Sequence, residues 1–138
     1  MIPTLLQPLK IKSDAKHLRQ VERLIEDVCQ LYDVNDDAYG NMLIAVTEAV
    51  NNAMAHGNKS NPNKFVNISF SAENSKLIFL ISDEGQGFDY KNLPDPTDPE
   101  NIAKISGRGV FLMTTLSDSI AFEEGGKKIL LTFKSSIF

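Results

Sequence analysis

The stretch TEAVNNAMAHG, residues 47–57, contains the pattern that decides the fold. Glu48, Asn52 and His56 recur at every fourth position, so on a helix they form one polar stripe. Residues 41–55 contain no Lys or Arg, whereas a solvated helix face normally mixes charges of both signs. A lone carboxylate and a carboxamide among alanines therefore predict the floor of a ligand cavity. The other side of this helix is apolar and is predicted to face the core: Leu43, Val46, Val50, Ala53 and Met54.

Glu48 and Asn52 offer different chemistry. The neutral carbonyl oxygen of Asn52 suits Mg²⁺, which keeps waters and phosphate oxygens and needs few protein ligands. Glu48, one turn earlier, can accept a proton from an attacking hydroxyl or water. The competing interpretation is an ordinary amphipathic helix with a solvated polar face. His56, at the helix end, is as compatible with a capping role as with a site role.

The motif DEGQG, residues 83–87, directly follows an apolar segment that is predicted to be a strand. Asp83 is then at a strand end, where its carboxylate can accept a hydrogen bond from the exocyclic amine of adenine and exclude guanine. Gly85 and Gly87 remove side chains where a base approaches the backbone. For this motif alone, an ordinary turn with an acidic cap explains the sequence equally well.

The motif Gly107-Arg108-Gly109 is predicted to open a short helix. Free backbone amides at a helix N-terminus favour phosphate, and Arg108 can add a charge-assisted contact to the terminal phosphate. No Gly-Lys-Ser/Thr follows, which excludes a Walker loop, and DEGQG leads into a proline-rich segment, which excludes a Rossmann fingerprint. An exposed Arg108 without a ligand is the alternative. In combination, the three motifs predict an ATP site.

The composition indicates one soluble domain over residues 1–138, with a net charge of −4 and an isoelectric point of about 5.1. The sequence contains no run of Lys or Arg, so a nucleic-acid surface has little support. The longest apolar run, residues 77–81, is far shorter than the roughly 20 residues of a membrane span, and no signal peptide is visible. The single cysteine, Cys29, excludes an intrachain disulfide and is expected to be a buried or interface thiol. A cytoplasmic protein is expected.

Periodicity and breakers predict an α+β fold, specifically a two-layer sandwich with a mixed, mostly antiparallel sheet and helices on one face. Ser13 or Asp14 is expected to cap the first helix, and Gly57 is expected to end the second. The predicted elements are a strand at 4–12, helices at 18–32 and 35–56, strands at 66–71 and 76–82 joined by an Asn74-Ser75 turn, a proline-containing lid at about 88–106, a helix at 110–116, and a hairpin of 119–122 and 128–133. The strand at 76–82 is expected to be buried on both faces.

The three motifs resemble the nucleotide-binding boxes of the GHKL superfamily, which has the Bergerat ATP-binding fold, and in particular those of anti-sigma-factor serine kinases. The resemblance implies that Glu48 is the general base and Asn52 the magnesium ligand. It implies that Asp83 reads adenine in a pocket shaped by Gly85 and Gly87. Phosphates would be held by Gly107, Arg108 and Gly109. The family often has small hydroxyl residues after the last hairpin glycine, whereas here Lys127 and Lys128 follow Gly126, which leaves Thr132 as the candidate hydroxyl near the base.

The resemblance favours an ATP- and magnesium-dependent serine/threonine protein kinase that acts as an anti-sigma factor, forms a homodimer and phosphorylates an anti-sigma-factor antagonist. The alternative is a nucleotide-dependent binding module without kinase activity. Glu48 favours the kinase, because ATP binding alone needs no base. A sensor histidine kinase is disfavoured, since few residues precede the second helix and His17 lacks an acidic neighbour typical of a phosphoacceptor. The ATPase of a gyrase-like or chaperone-like machine is disfavoured, since the sequence contains no further domain.

Overall fold

A five-stranded antiparallel sheet with helices on one face forms the fold, which a computed structural model describes over residues 7–85 and 105–134. The strand order is β1-β2-β3-β5-β4. The strands are β1 Leu9–Lys12, β2 Phe65–Glu73, β3 Lys76–Asp83, β4 Ser119–Glu123 and β5 Lys128–Lys134; the helices are α1 Leu18–Leu31, α2 Asp36–Asn52 and α3 Ile105–Leu116. The predicted α+β sandwich is confirmed. Every pairing between these five strands is antiparallel. The described strands therefore contain none of the parallel pairs that a mixed sheet would have.

The core lies between the helices and one face of the sheet. In β3, the buried residues Leu77, Phe79 and Ile81 alternate with half-buried Ile78 and Leu80. The prediction that this strand is buried on both faces is therefore wrong, because its outer face keeps part of its apolar surface exposed. Of the five core residues predicted on α2 and the turn that follows it, four are buried and one, Leu43, is only partly buried.

Side-chain caps are found before both helices. The predicted cap of the first helix lies one short turn before α1, whose own N-cap residue, His17, makes no capping bond with its side chain. The Asp14 carboxylate accepts from the Lys16 N–H at 3.1 Å and caps a short 3₁₀ turn that leads into α1. The Asn35 side chain accepts from the Ala38 N–H at 2.8 Å and caps α2. Ser13, the other candidate cap for α1, is instead buried. These two caps satisfy amide donors that a helix N-terminus otherwise leaves free.

The end of α2 differs from the prediction. The chain continues beyond Asn52 as a π turn, Ala53–Gly57, and the Asn58 N–H bonds to the Ala53 carbonyl at 2.8 Å. Gly57 is not among the described residues with positive φ, so it does not end the helix through a left-handed conformation. Another requirement must explain a glycine at this position.

The third helix begins earlier than predicted. It starts at Ile105 rather than at residue 110, so Gly107 and Gly109 lie within its first two turns. Of the predicted lid, residues 88–104 lie outside the described part of the chain. Contact with α2 explains the longer helix, because tertiary packing overrides the weak helix propensity of glycine. The predicted hairpins are confirmed, with Asn74 and Ser75 at φ of 49° and 62° in the β2–β3 turn.

Cys29 is the buried thiol that the sequence predicts. It is 8% exposed, and its Sγ donates to the Met42 Sδ at 3.8 Å. Burial raises the pKa of the thiol from 9.0 to about 11, because the apolar surroundings disfavour the thiolate. Within the described ranges, no helix combines the length and the apolar character that crossing a membrane requires.

The raised pKa of Cys29 predicts a loss of stability in alkaline solution. The unfolded chain releases the thiol proton near pH 9.0, whereas the folded chain keeps it up to about pH 11. The contribution to the free energy of unfolding is thus fully present below pH 9.0 and is lost as the pH rises through the folded value. Urea denaturation across this range should show a steeper decline for the wild type than for Cys29→Ala. Equal slopes would mean that the thiol does not carry the effect.

Candidate functional site

Two of the predicted motifs meet where α3 crosses α2. Glu48 and Asn52 lie one turn apart on α2, and Gly109 of α3 packs directly against them. A Cβ atom at Gly109 would lie 3.0 Å from the Glu48 Oε2 and 3.2 Å from the Asn52 Nδ2. Both Ala45 and Ala49, which flank the stripe, are fully buried. Glycine at 109 therefore allows α3 to approach the polar stripe closely.

Asn52 is buried rather than open to solvent. Its side chain is 1% exposed, and its Nδ2 has no hydrogen-bond partner among the described residues. Glu48 and His56, the other two residues of the stripe, are only partly buried, so α3 covers the stripe most completely at Asn52. A buried amide without a partner lowers the free energy of unfolding by about 1–3 kcal/mol. When the amide is rotated by half a turn, its oxygen takes the position of the Nδ2, and that oxygen is a ligand that Mg²⁺ accepts.

The Asp83 turn forms a second group, at the end of β3. Asp83 is 7% exposed, and its N–H bonds to the Lys127 carbonyl at 3.0 Å. The Gly85 N–H donates to the Asp83 Oδ1 at 2.8 Å and so orients the carboxylate. Any side chain on Gly85 would collide with the carbonyl of Gly57. The strand-end position predicted for Asp83 is confirmed.

Gly57 and Asn58 belong to this second group, although the sequence analysis did not assign them to the site. A Cβ atom on Gly57 would overlap the Asp83 carboxylate, so close approach explains the glycine at this position. Asn58 is 1% exposed and accepts the Glu84 N–H at 2.9 Å. The His-Gly pair at the end of the polar stripe was a usable signal for Gly57. No periodicity or turn propensity identifies Asn58.

The remaining predicted residues are placed only in part. Gly107 and Arg108 lie in the first turn of α3, and Gly87 lies outside the described residues. Thr132 pairs with Ile78, five residues before the Asp83 end of β3. This separation is about 17 Å along a strand, so the suggestion that Thr132 supplies a hydroxyl near the base is wrong.

Three cavities among the described residues lie away from both groups. They measure about 680 Å³ between the start of α2 and the end of α3, about 860 Å³ along α1, and about 440 Å³ beside β1. Glu48, Asn52 and Asp83 line none of the three. Residue chemistry, rather than cavity size, therefore identifies the site, because α3 lies directly on the polar stripe.

Comparison with known proteins finds a relative and two solved structures that are similar to this chain. The chain is 30% identical over 132 residues to the serine-protein kinase RsbW of Staphylococcus aureus, in strains JH9 and Newman, and the alignment covers 90% of this chain and 83% of the relative. The crystal structure of the RsbU and RsbW domains of a Mycobacterium tuberculosis protein matches with a TM-score of 0.59 at 16% identity, over 93% of this chain and 32% of that chain. The histidine kinase domain of a blue-light activated kinase from Erythrobacter litoralis matches with a TM-score of 0.52 at 16% identity, over 83% of this chain and 58% of that one.

The two structural likenesses concern the fold alone, and this chain spans less than two thirds of either solved chain. The family is shown by the model that describes a histidine kinase-like ATPase domain, which matches residues 11–133. The chain belongs to the histidine kinase-like ATPase domain family and, with it, to the GHKL type of nucleotide-binding proteins.

Proposed function

We propose that the protein is an ATP-dependent serine/threonine kinase that acts as an anti-sigma factor and phosphorylates an anti-sigma-factor antagonist. The similarity to a relative named serine-protein kinase along 90% of the chain supports this proposal. The observation that carries the kinase assignment is the position of Glu48, one turn from Asn52 and against Gly109. Binding of ATP alone would not need a carboxylate at that place.

The Asp83 group is the proposed adenine end of the site. The Asp83 carboxylate accepts a hydrogen bond from the adenine amine, whereas guanine presents an acceptor oxygen at the same edge. Gly57 and Gly85 place no side chain beside this carboxylate. The family resemblance implies that Gly87 likewise leaves room for the base. With guanine, the Asp83 carboxylate and the guanine oxygen would both be acceptors without a donor, and this loss favours adenine.

The start of α3 is the proposed phosphate end. The first four N–H groups of a helix have no partner within it, and Gly107 and Arg108 lie in this stretch. These amides and the Arg108 guanidinium favour phosphate oxygens. Gly109 lies one residue further along the helix, and its proposed role is to let α3 approach Glu48 and Asn52.

Asn52 is the proposed magnesium ligand, and its unpartnered buried amide fits this role. Bound Mg²⁺ would offset the negative charge of the phosphate groups. Glu48 accepts the proton of the partner's serine or threonine hydroxyl as its oxygen attacks the terminal phosphorus and the bond to ADP breaks. Positioning and charge stabilisation contribute most to such a transfer, and the base adds a smaller factor.

The partners follow from the same resemblance and belong to the proposal. They are the antagonist that carries the accepting hydroxyl, a sigma factor that this chain would bind, and a second copy of this chain in a homodimer. A cytoplasmic location is part of this proposal. Sedimentation of the purified protein tests the homodimer directly.

Asp83→Asn tests the adenine end. The wild type should bind ATP about 5–150-fold more tightly than GTP, the ratio that corresponds to 1–3 kcal/mol for a buried acceptor left against an acceptor. Asp83→Asn should lose most of this ratio, because an amide can also donate to guanine. Glu84→Gln is the matched control, since it changes the neighbouring exposed carboxylate and keeps an acceptor for the Phe65 N–H. Equal affinities in the wild type would contradict the assignment.

Asn52→Ala tests the magnesium role by two measurements: the magnesium dependence of ATP binding, which should be lost, and the unfolding temperature, which should not fall. Magnesium should strengthen ATP binding in the wild type and have little effect in the variant. In the absence of nucleotide, the variant should unfold at the same or a higher temperature, because it removes a buried amide without a partner. Asn51→Ala, at the adjacent position, is the control and should keep the magnesium dependence. A strongly destabilised Asn52→Ala would show that the amide is structural.

Glu48→Gln separates a kinase from a binding module. The isosteric amide keeps the packing against Gly109, so binding of ATP and magnesium should change little. Transfer of labelled phosphate to an antagonist-type partner should fall by roughly 10²–10⁴-fold if Glu48 acts as a general base. Glu73→Gln, at an exposed strand end, should leave transfer unchanged. If the wild type binds ATP but labels no such partner, the binding module is the better description.

A further inference from the structure

The side chain of Asn58 joins three segments of the chain behind the Asp83 turn. Its Oδ1 accepts the Glu84 N–H at 2.9 Å, while its Nδ2 donates to the Ser13 Oγ at 2.8 Å and to the Phe65 carbonyl at 2.9 Å. At 1% exposure, Asn58 forms these bonds away from water. The orientation of the amide is fixed, because only its oxygen can accept an N–H and only its nitrogen can donate to a carbonyl.

The Glu84 N–H connects Asn58 to the Asp83 carboxylate. Glu84 lies between Asp83, whose N–H bonds to the Lys127 carbonyl at 3.0 Å, and Gly85, whose N–H donates to the Asp83 Oδ1 at 2.8 Å. A bond that holds residue 84 therefore also fixes where the Gly85 N–H lies. The direction of the carboxylate follows from that position.

We infer that Asn58 is a positioning residue for adenine recognition: by holding the Glu84 N–H, it sets the orientation of the Asp83 carboxylate without touching the nucleotide. This inference rests on the proposed role of Asp83. Hydrogen bonds weaken steeply when their angle departs from linear, so a carboxylate that turns away loses its bond to the adenine amine. Contacts to the phosphates lie at the other end of the site and do not depend on this turn. Loss of Asn58 therefore lowers the discrimination between ATP and GTP more than it lowers affinity for the shared phosphates.

Asn58→Ala and Ser13→Ala form a matched pair. Asn58→Ala removes the bond to Glu84, whereas Ser13→Ala removes only the distal partner of Asn58 and the bond from the Ser13 Oγ to the Lys64 carbonyl. Dissociation constants for ATP and for GTP are measured by calorimetry with the full chain. The ratio between them should fall about tenfold in Asn58→Ala, if the adenine bond loses an energy typical of one hydrogen bond, and should be unchanged in Ser13→Ala. Both variants should unfold at a lower temperature.

Asn58→Asp provides the rescue. Aspartate keeps an acceptor for the Glu84 N–H but has no donor for Ser13 or Phe65, so its unfolding temperature should fall while its preference for ATP is retained. A merely structural role would make the nucleotide preference follow the unfolding temperature in all three variants. A nucleotide preference that falls in step with the unfolding temperature would overturn the inference. If Asn58→Ala does not fold, Asn58→Ser replaces it, since its shorter side chain leaves the Glu84 N–H unbound.

The outcomes separate this inference from the function on which it rests. A wild type that binds ATP and GTP equally contradicts the role of Asp83 and this inference together. A wild type that prefers ATP, with the full preference retained in Asn58→Ala, overturns the inference alone. Amide exchange measured by NMR gives a second readout, in which the Gly85 N–H should exchange faster in Asn58→Ala and remain protected in Ser13→Ala. Unchanged protection of Gly85 would show that Asn58 does not hold the turn.

Discussion

The contact between the Gly57 backbone and the Asp83 carboxylate fixes the helical layer to the sheet at the point where α2 ends. The Asp83 carboxylate leaves no room for a side chain on Gly57, and the Gly57 carbonyl leaves equally little room for one on Gly85. The segment that brings Gly57 to the strand end is a π turn, whose wider hydrogen-bonded ring displaces the backbone relative to a regular helix.

The same turn separates two environments along one polar stripe. Asn52, just before the π turn, faces α3, whereas Gly57, the last residue of that turn, faces the end of β3. About one and a half helical turns separate the two, a rise of roughly 8 Å. A nucleotide has its base and its terminal phosphates at opposite ends, and under the proposed function one helical segment would present residues to both. The buried Asn52 amide, which has no partner among the described residues, costs stability in the folded chain, and the proposed magnesium role would account for its presence.

Short-range chemistry made much of the fold predictable. Asp14 caps the short turn that leads into α1, Asn35 caps α2, and Asn74 with Ser75 turns the hairpin. Each of these features depends on neighbours within a few residues. The start of α3 was not predictable in this way, because glycines disfavour a helix and the packing of α3 against α2 is a tertiary contact.

The sequence motifs singled out residues that the fold brings close together, but not how deeply each of them is buried. The absence of Lys and Arg around Glu48 and Asn52 indicated that the stripe does not face solvent, although pattern analysis could not show which element covers it. Asn58 lay outside any pattern, because its partners Ser13 and Glu84 are 45 and 26 residues away in sequence. Buried polar networks of this kind arise from tertiary structure, and a single sequence contains no local signal for them.

The hairpin of β4 and β5 contributes to the site through its main chain. The family resemblance leads one to expect a small hydroxyl residue after Gly126, and Lys127 and Lys128 stand there instead. The Lys127 carbonyl accepts the Asp83 N–H, a bond that any residue at this position could form. The Lys128 ammonium pairs with the Glu124 carboxylate at 2.9 Å on the exposed turn, so its charge is directed along the hairpin. The departure from the family pattern therefore leaves the backbone bond to Asp83 in place, and it changes which side chains stand near the proposed adenine end.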